Sequence, residues 1–168
     1  METKGFFKET QRYKQWWIWI ILLCINGLFF YGIIKQIIIG EQWGDKPMSN
    51  TGLWVAFGFT LLLTILFACF RLETRITDEG VYVRFFPFQL TYKKYSWDEI
   101  SKSYVRRYHP IGEYGGWGVR YGRKGKAYNV SGNKGLQLEF VNGKCLLIGT
   151  NKPIELEEVL NRMKKSKQ

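Results

Sequence analysis

The chain has 168 residues, of which 46% are hydrophobic and 17% aromatic, and it carries 25 basic against 14 acidic groups. This length allows one modest domain with a smaller element and excludes a large multidomain enzyme, while the apolar content excludes a disordered chain. The mean hydropathy is only −0.20 although the net charge is +11. Such values indicate that strongly apolar and strongly charged segments are averaged together.

Two segments without charged residues, 15–34 and 47–70, are long enough to cross a membrane. A helix needs roughly 20 apolar residues to cross a hydrocarbon core about 30 Å thick. No small-residue cleavage site follows the first segment, which argues against a signal peptide, and the second has no polar stripe, which argues against a soluble core helix. We therefore predict a transmembrane helical hairpin over 16–70, with spans at 16–34 and 53–70.

Basic residues near the span ends predict the orientation of this hairpin. Four lie in the N-terminal flank, two in the connecting segment and three in the fifteen residues after the second span. Because positively charged flanks stay on the cytoplasmic side, we predict a multi-pass protein with both termini in the cytoplasm. Residues 1–15 are then a cytoplasmic N-terminal tail, and residues 35–52 face outward.

Asn26 is the polar residue that stands out within the predicted spans. In an antiparallel hairpin it lies at the depth of Thr60 and Thr64, which share one face of their helix. A hydrogen bond among these side chains would hold the hairpin and is worth about 0.6–2 kcal/mol. The alternative is an intramembrane ligand or ion site, for which Asn26 has no ionisable partner.

Residues 71–168 alternate with period two between turn motifs, which predicts a cytoplasmic domain of about seven antiparallel strands. The predicted strands lie in the segments RLETRIT, VYVRFF, QLTYKKY, ISKSYVRRY, GVRY, KAYNVS, GLQLEFV and KCLLIG. A helix over 153–166 ends the chain, with apolar residues at Leu156, Val159, Leu160 and Met163. Strands followed by one amphipathic helix predict a small barrel or bent sandwich that the helix closes at one end.

The pair Asn142-Gly143 predicts a β-hairpin with a two-residue type I′ turn, in which both central residues need φ > 0. This turn would pair Phe140 with Cys145. The residues that would then share the core-facing side are Leu136, Leu138, Phe140, Cys145 and Leu147.

This order of elements resembles the pleckstrin-homology-like (PH-like) superfold. The two N-terminal spans, the sequence ITDEGV at 76–81 and the sequence YSWDEI at 95–100 resemble bacterial membrane proteins with a PH-like domain, whose families are largely of unknown function. The resemblance covers essentially the whole chain. It implies a bacterial inner-membrane protein with a cytoplasmic PH-like domain, and it brings no catalytic residues with it.

The sequence offers few residues for catalysis or metal binding. His109 is the one histidine, and the chain contains no GxSxG, CxxC or HExxH motif. Asp98 and Glu99 are a possible acid pair, but adjacent acids on a turn usually cap the next element. We therefore predict no enzymatic activity, no metal and no cofactor.

The Gly-rich segment 110–118 is the best candidate for a recognition site. Tyr114 and Trp117 would supply large, stiff contact surface on an exposed loop, whereas the plain alternative is an inter-strand loop that needs glycine at φ > 0. The basic residues predicted to extend this site are Arg120, Arg123, Lys124 and Lys126. They either form a solvated surface or attract the anionic inner leaflet, at about 1 kcal/mol for each residue close to it.

These features predict a membrane-anchored interaction or scaffolding module that binds a protein partner or lipid headgroups at the inner membrane face. Nucleic acid is not an expected partner, because the domain is membrane-anchored and lacks an RNP-type motif. Two alternatives stay open. One is an accessory subunit of a membrane transport or secretion complex, and the other is a membrane-associated lipid-processing enzyme with a polar pocket around His109, Asp98 and Glu99.

Overall fold

The computed structural model describes residues 5–122 and 125–165. The chain forms two compact units. One, the helical unit, is Lys14–Cys69, and the other, the β unit, combines Met1–Tyr13 with Phe70–Gln168.

Two apolar helices make up the helical unit. Helix α1 spans Trp16–Ile33 and continues as a π-helical stretch, Ile34–Ile38, and helix α2 spans Asn50–Cys69. Both are long and apolar enough to cross a membrane. The first continues past the predicted end at 34, and the second begins before the predicted start at 53. Between these two ends, Gln36 Nε2 donates to the Met48 carbonyl at 2.7 Å and to Asn50 Oδ1 at 2.8 Å.

The described part of the β unit contains nine strands and two further helices. The strands are β1 (Gly5–Arg12), β2 (Arg71–Thr77), β3 (Gly80–Phe86), β4 (Lys93–Ser96), β5 (Ile100–Arg107), β6 (Gly118–Gly122), β7 (Gly125–Asn129), β8 (Lys134–Phe140) and β9 (Cys145–Gly149). The helices are α3 (Pro110–Tyr114) and α4 (Pro153–Lys165), and a short 3₁₀ helix covers Trp97–Glu99. Position 166, the last of the predicted C-terminal helix, lies outside the described residues.

The strands form a four-stranded sheet in the order β1-β2-β3-β4 and a five-stranded sheet in the order β5-β8-β9-β7-β6. Neighbouring strands pair antiparallel except β7 and β9, which are parallel. The prediction of an all-antiparallel domain is wrong for this pair. Strand β7 lies beside β9 and not beside β8, the strand that follows it in the chain, and β9 runs in the same direction as β7. Helix α4 contacts β1, β5 and β8, and its buried residues Leu156 and Leu160 belong to the predicted apolar stripe.

Strand β1 is the largest departure from the predicted organisation. The sequence predicts a tail over residues 1–15, but Gly5–Arg12 pairs with β2 along a ladder that ends at Arg12 and Arg71. Burial alternates along the strand, with Phe7, Glu9 and Gln11 buried. Two of these three inward side chains are polar, so the alternation of apolar and polar residues that identifies a half-buried strand is missing.

The buried polar side chains of β1 bind the end of the other sheet. Glu9 accepts hydrogen bonds from the Thr150 hydroxyl at 2.6 Å and from the Asn151 backbone N–H at 2.8 Å. The Gln11 amide donates to the Gly149 carbonyl at 2.6 Å. Because a buried polar group is costly unless it is hydrogen-bonded, these contacts explain why polar residues face inward here, and they join the two sheets.

The β8–β9 hairpin forms where it is predicted, but its register is shifted by one residue. Glu139, not Phe140, pairs with Cys145. Among the described residues only glycines have positive φ, Gly143 at +78° included, and its N–H donates to the Phe140 carbonyl at 2.9 Å. This is a type I turn followed by a glycine bulge instead of a type I′ turn. The shift turns each β9 side chain to the opposite face, so the set on one face is Leu136, Leu138, Leu146 and Ile148.

Candidate functional site

The predicted recognition segment begins with a helical turn. Pro110 occupies the first turn of α3 and Gly115 ends it in the left-handed region, at φ +71°. Proline suits the first turn because its φ is already helical, and glycine suits the C-terminal cap because it has no Cβ to clash. This part of the segment is therefore folded against the β unit.

Tyr114 is a core residue and not the exposed contact residue that the sequence predicts. Its side chain is 4% exposed, and its ring centroid lies 6.1 Å from that of Tyr108 in an edge-to-face contact. Both rings belong to a buried cluster with Ala127 and Leu147. Burial is the largest cause that raises the pKa of the Tyr114 phenol, and it raises that of Tyr108 to about 12. The helical turn directs the aromatic ring inward, so Tyr114 has no surface to offer a partner.

The other predicted interaction residues do not form one patch. Trp117 is half-buried, and its indole N–H donates to the Gly132 carbonyl at 3.4 Å. Arg120 is exposed and donates from Nε to the Trp117 carbonyl at 3.0 Å. Lys126 pairs with Tyr121, the residue after Arg120, so its side chain lies on the opposite face of the sheet from that of Arg120, on the wall of a cavity. The remaining candidates, Arg123 and Lys124, lie outside the described residues.

That cavity has a volume of about 1020 Å³ and opens on the five-stranded sheet and on β4. Its basic lining residues are Lys93, Lys94, Arg106, Lys126 and Lys144. Two acidic residues, Glu99 and Glu139, also line it, so the basic side chains outnumber the acidic ones by five to two. Several tyrosines complete the wall, including Tyr95, Tyr104 and Tyr121.

Two of the five cations already have anionic partners. Lys94 Nζ lies 2.5 Å from Glu79 Oε2. Arg106 Nη2 lies 2.9 Å from Glu113 Oε2, and its Nε donates to Gln137 Oε1 at 2.9 Å. These two side chains are thus neutralised within the fold.

Lys93 and Lys126 are held differently, over tyrosine rings. Lys126 Nζ lies 4.5 Å from the ring centroid of Tyr128 and 5.3 Å from that of Tyr121, and Lys93 Nζ lies 5.4 Å from the Tyr95 centroid. Burial acts to lower the pKa of Lys126, but its contacts with the two tyrosine hydroxyls outweigh burial and raise the pKa. Within the described ranges, no carboxylate forms an ion pair with either ammonium group.

The candidate enzyme residues are not all on this cavity. Glu99 lines it, whereas Asp98 and His109 do not. His109 is exposed and precedes α3, where its backbone N–H donates to Glu113 Oε1 at 2.9 Å. Within the part of the chain that the structure describes, no three His, Cys, Asp or Glu side chains group closely enough to hold a metal ion.

In the helical unit, the structure brings together the three polar side chains that the sequence pairs. Asn26 Nδ2 donates to Thr64 Oγ1 at 2.8 Å, and Thr60 Oγ1 donates to Asn26 Oδ1 at 3.2 Å. Asn26 Nδ2 also donates to the Leu22 carbonyl at 2.7 Å. The amide is therefore satisfied within the helix pair, as a packing role requires.

A second polar cluster, on β2 and β3, gives the fold a specific sensitivity to acid. Arg84 Nη2 lies 2.6 Å from Glu73 Oε2, and the Tyr92 hydroxyl donates to the same oxygen. Burial acts to raise the pKa of Glu73, but the bonds from Tyr92 and Arg84 outweigh it, so the pKa is below its usual value of 4.5. The ionised carboxylate therefore stabilises the folded state.

We expect Glu73→Gln to destabilise the β unit by about 1.5–3 kcal/mol at pH 7, the usual worth of hydrogen bonds to a charged group. A depressed folded pKa gives stability that is complete above the unfolded pKa and is lost as the pH falls through the folded one. The difference between wild type and variant should therefore shrink below pH 4.5. Urea unfolding at several pH values measures it, with the exposed Glu158→Gln as control. An equal difference at pH 7 and pH 3 would contradict the assignment.

Comparisons with known proteins place the chain in a family without assigning it an activity. No curated protein matches it, and no solved structure does. One family model matches residues 1–166, almost the entire chain. The chain therefore belongs to DUF6141, a family of unknown function.

Proposed function

We propose that the protein is a membrane-anchored interaction module. Helices α1 and α2 hold it in a bacterial inner membrane, and the β unit binds a partner in the cytoplasm. The observation that carries this proposal is that the two helices are apolar on all sides. The exposed apolar residues include Ile20, Ile21 and Leu23 of α1 and Phe59, Leu62 and Ile65 of α2. Water would penalise these surfaces, whereas hydrocarbon would not.

The pairing of β1 with β2 supports the proposal that both ends of the chain lie on the same side of the membrane. Strand β1 precedes the helical unit and strands β2–β9 follow it, yet all nine belong to one β unit. A hairpin of two spans returns the chain to the side from which it started. The excess of basic residues in both flanks supports the cytoplasm as that side.

The folded elements support a PH-like domain as the binding part. A four-stranded antiparallel sheet is followed by a second sheet and then by α4. The sequence contains no GxSxG, CxxC or HExxH motif, and fold alone does not imply an activity. We therefore propose scaffolding or ligand binding as the role of the domain, with no catalytic step.

Exposed apolar side chains on the β3–β4 connection support contact with lipid or with a membrane protein. Phe88 is 68% exposed and Leu90 72% exposed. The ring centroid of Phe88 lies 5.3 Å from that of Phe70, which follows α2 directly in the chain. Aromatic side chains next to the end of a span are typical of the membrane interface.

The orientation is tested by cysteine labelling in intact cells. Single-cysteine proteins carry Asp45→Cys or Gln168→Cys after replacement of Cys24, Cys69 and Cys145 by serine. A membrane-impermeant maleimide should label position 45 in intact cells and position 168 only after permeabilisation. Labelling of position 168 in intact cells, or of position 45 only after permeabilisation, would overturn the proposed topology.

A further inference from the structure

We propose that the cavity of the β unit binds a phosphate-bearing anion, which the ammonium groups of Lys93 and Lys126 hold between tyrosine side chains. The inference gives a ligand class to the proposed interaction module and rests on that proposal for its cellular role. All the residues that line the cavity belong to the β unit.

The size of the cavity suits a small molecule. At about 1020 Å³ it is slightly above the range of roughly 300–1,000 Å³ that ligand pockets occupy. Its wall combines four aromatic rings with seven charged side chains, a composition that favours a charged ligand.

Two cations of the cavity have no ion-pair partner among the described residues, which favours an anion from outside the protein. Lys94 and Arg106 are paired with Glu79 and Glu113, whereas Lys93 and Lys126 have aromatic rings beside them and no carboxylate among the described residues. Of the two acids on the wall, Glu139 is engaged because it accepts a hydrogen bond from the Tyr104 hydroxyl at 2.7 Å. A bound anion would supply the missing countercharge.

The two ammonium groups are positioned before a ligand arrives. Cation–π contact with Tyr95, Tyr121 and Tyr128 restricts the long lysine side chains, and a restricted side chain loses less entropy when the ligand binds. Tyr121 lines the cavity with 77% of its surface exposed.

Phosphate fits this set of donors better than carboxylate. A planar carboxylate is best matched by the two-pronged guanidinium of arginine, and the one arginine on the wall is already occupied by Glu113 and Gln137. Lysine binds phosphate as a point charge, and a phosphate monoester carries a charge of about −1.5 to −2 at pH 7. Lys93 of β4 and Lys126 of β7 line the same cavity, so the charge of a phosphate group can be shared between two strands.

Cys145 provides a direct readout, since it lines the cavity and is a free thiol of intermediate exposure. The full chain carrying Cys24→Ser and Cys69→Ser keeps this one cysteine. In neutral detergent micelles, inorganic pyrophosphate should slow the reaction of Cys145 with a maleimide dye in a saturable way. A second arm replaces pyrophosphate with phosphatidylglycerol added to the micelles.

Substitution of both lysines by glutamine should raise the half-protecting concentration by about tenfold or more, the effect of losing one charged hydrogen bond or more. Lys134→Gln on β8 makes the same charge change at an exposed residue outside the cavity, and it should leave protection unchanged. Protection by pyrophosphate alone identifies a soluble phosphate compound as the ligand, and protection at lower concentration by the lipid identifies a headgroup.

Absence of protection by both probes, or equal protection of the wild type and the double glutamine variant, would overturn the inference. Lys93→Arg with Lys126→Arg preserves the charges and should keep most of the protection. A circular dichroism melt of each variant shows whether the β unit is folded. The topology measurement uses positions 45 and 168, so failure of phosphate binding and failure of membrane anchoring give separate results.

Discussion

Replacement of residues 14–69 by the dipeptide Asn-Gly is expected to convert the protein into a water-soluble, folded β domain. The ladder between β1 and β2 ends at Arg12 and Arg71, and the rings of the next residues, Tyr13 and Phe70, have centroids 5.8 Å apart. The helical unit thus occupies the position of a hairpin turn, and Asn-Gly is the dipeptide that a two-residue hairpin turn prefers. Removal of the apolar helices removes the surface that requires detergent.

Size-exclusion chromatography without detergent and a circular dichroism melt measure this result. The shortened protein should elute as a discrete species with a β-rich spectrum and a cooperative transition. Deletion of residues 1–12 from the same protein is the matched control, because it removes β1 with buried Phe7 and the bonds of Glu9 and Gln11. Equal behaviour with and without β1 would show that this strand is dispensable.

Tyr114→Ala is expected to destabilise the β unit by about 3–5 kcal/mol, the cost of truncating a buried aromatic side chain. The large effect follows from its burial against Tyr108, Ala127 and Leu147. Tyr114→Phe should cost much less, because the hydroxyl has only a long hydrogen bond of 3.3 Å from Arg106. Denaturant unfolding followed by fluorescence measures both variants.

Trp117→Ala is the control for this prediction, because the sequence assigns Tyr114 and Trp117 to one exposed loop whereas the structure separates them. Truncation of the half-buried Trp117 should cost clearly less than truncation of Tyr114. If both substitutions left the unfolding midpoint unchanged, the exposed recognition loop would stand and the buried cluster would be refuted.

The sequence predicts most elements because their patterns are strong. The two long helices are strongly apolar, β3 alternates between buried and half-buried residues, and α4 has an apolar stripe that includes the buried Leu156 and Leu160. Strand β1 escapes detection because the inward-facing Glu9 and Gln11 are satisfied by the loop after β9, residues 149–151. These partners are distant in the chain, so the local sequence around β1 cannot predict the hydrogen bonds.

The candidate site also depends on contacts between residues that are distant in the chain, which local sequence patterns do not predict. The glycines of segment 110–118 favour a loop with Tyr114 on the surface, whereas Pro110 begins and Gly115 ends a helical turn in the structure. In the β8–β9 turn, Asn-Gly suits type I′, yet Gly143 alone takes positive φ. The cavity combines Lys93 and Tyr95 of β4 with Lys126 of β7, and only the packing of two sheets brings these residues together.

The four-stranded sheet combines β1, which precedes the helical unit in the chain, with β2–β4, which follow it. This arrangement has a consequence for biosynthesis. Strand β1 is made before the apolar helices, but its partner β2 is made after them, and the segment that binds Glu9 is made near the end of translation. In the proposed topology, β1 and β2 would be on opposite sides of the membrane if one of the two helices failed to insert. The domain would then lack an outer strand and expose the edge of β2. In that topology, completion of the β unit requires insertion of both helices, so folding of the proposed binding module would depend on assembly of its anchor.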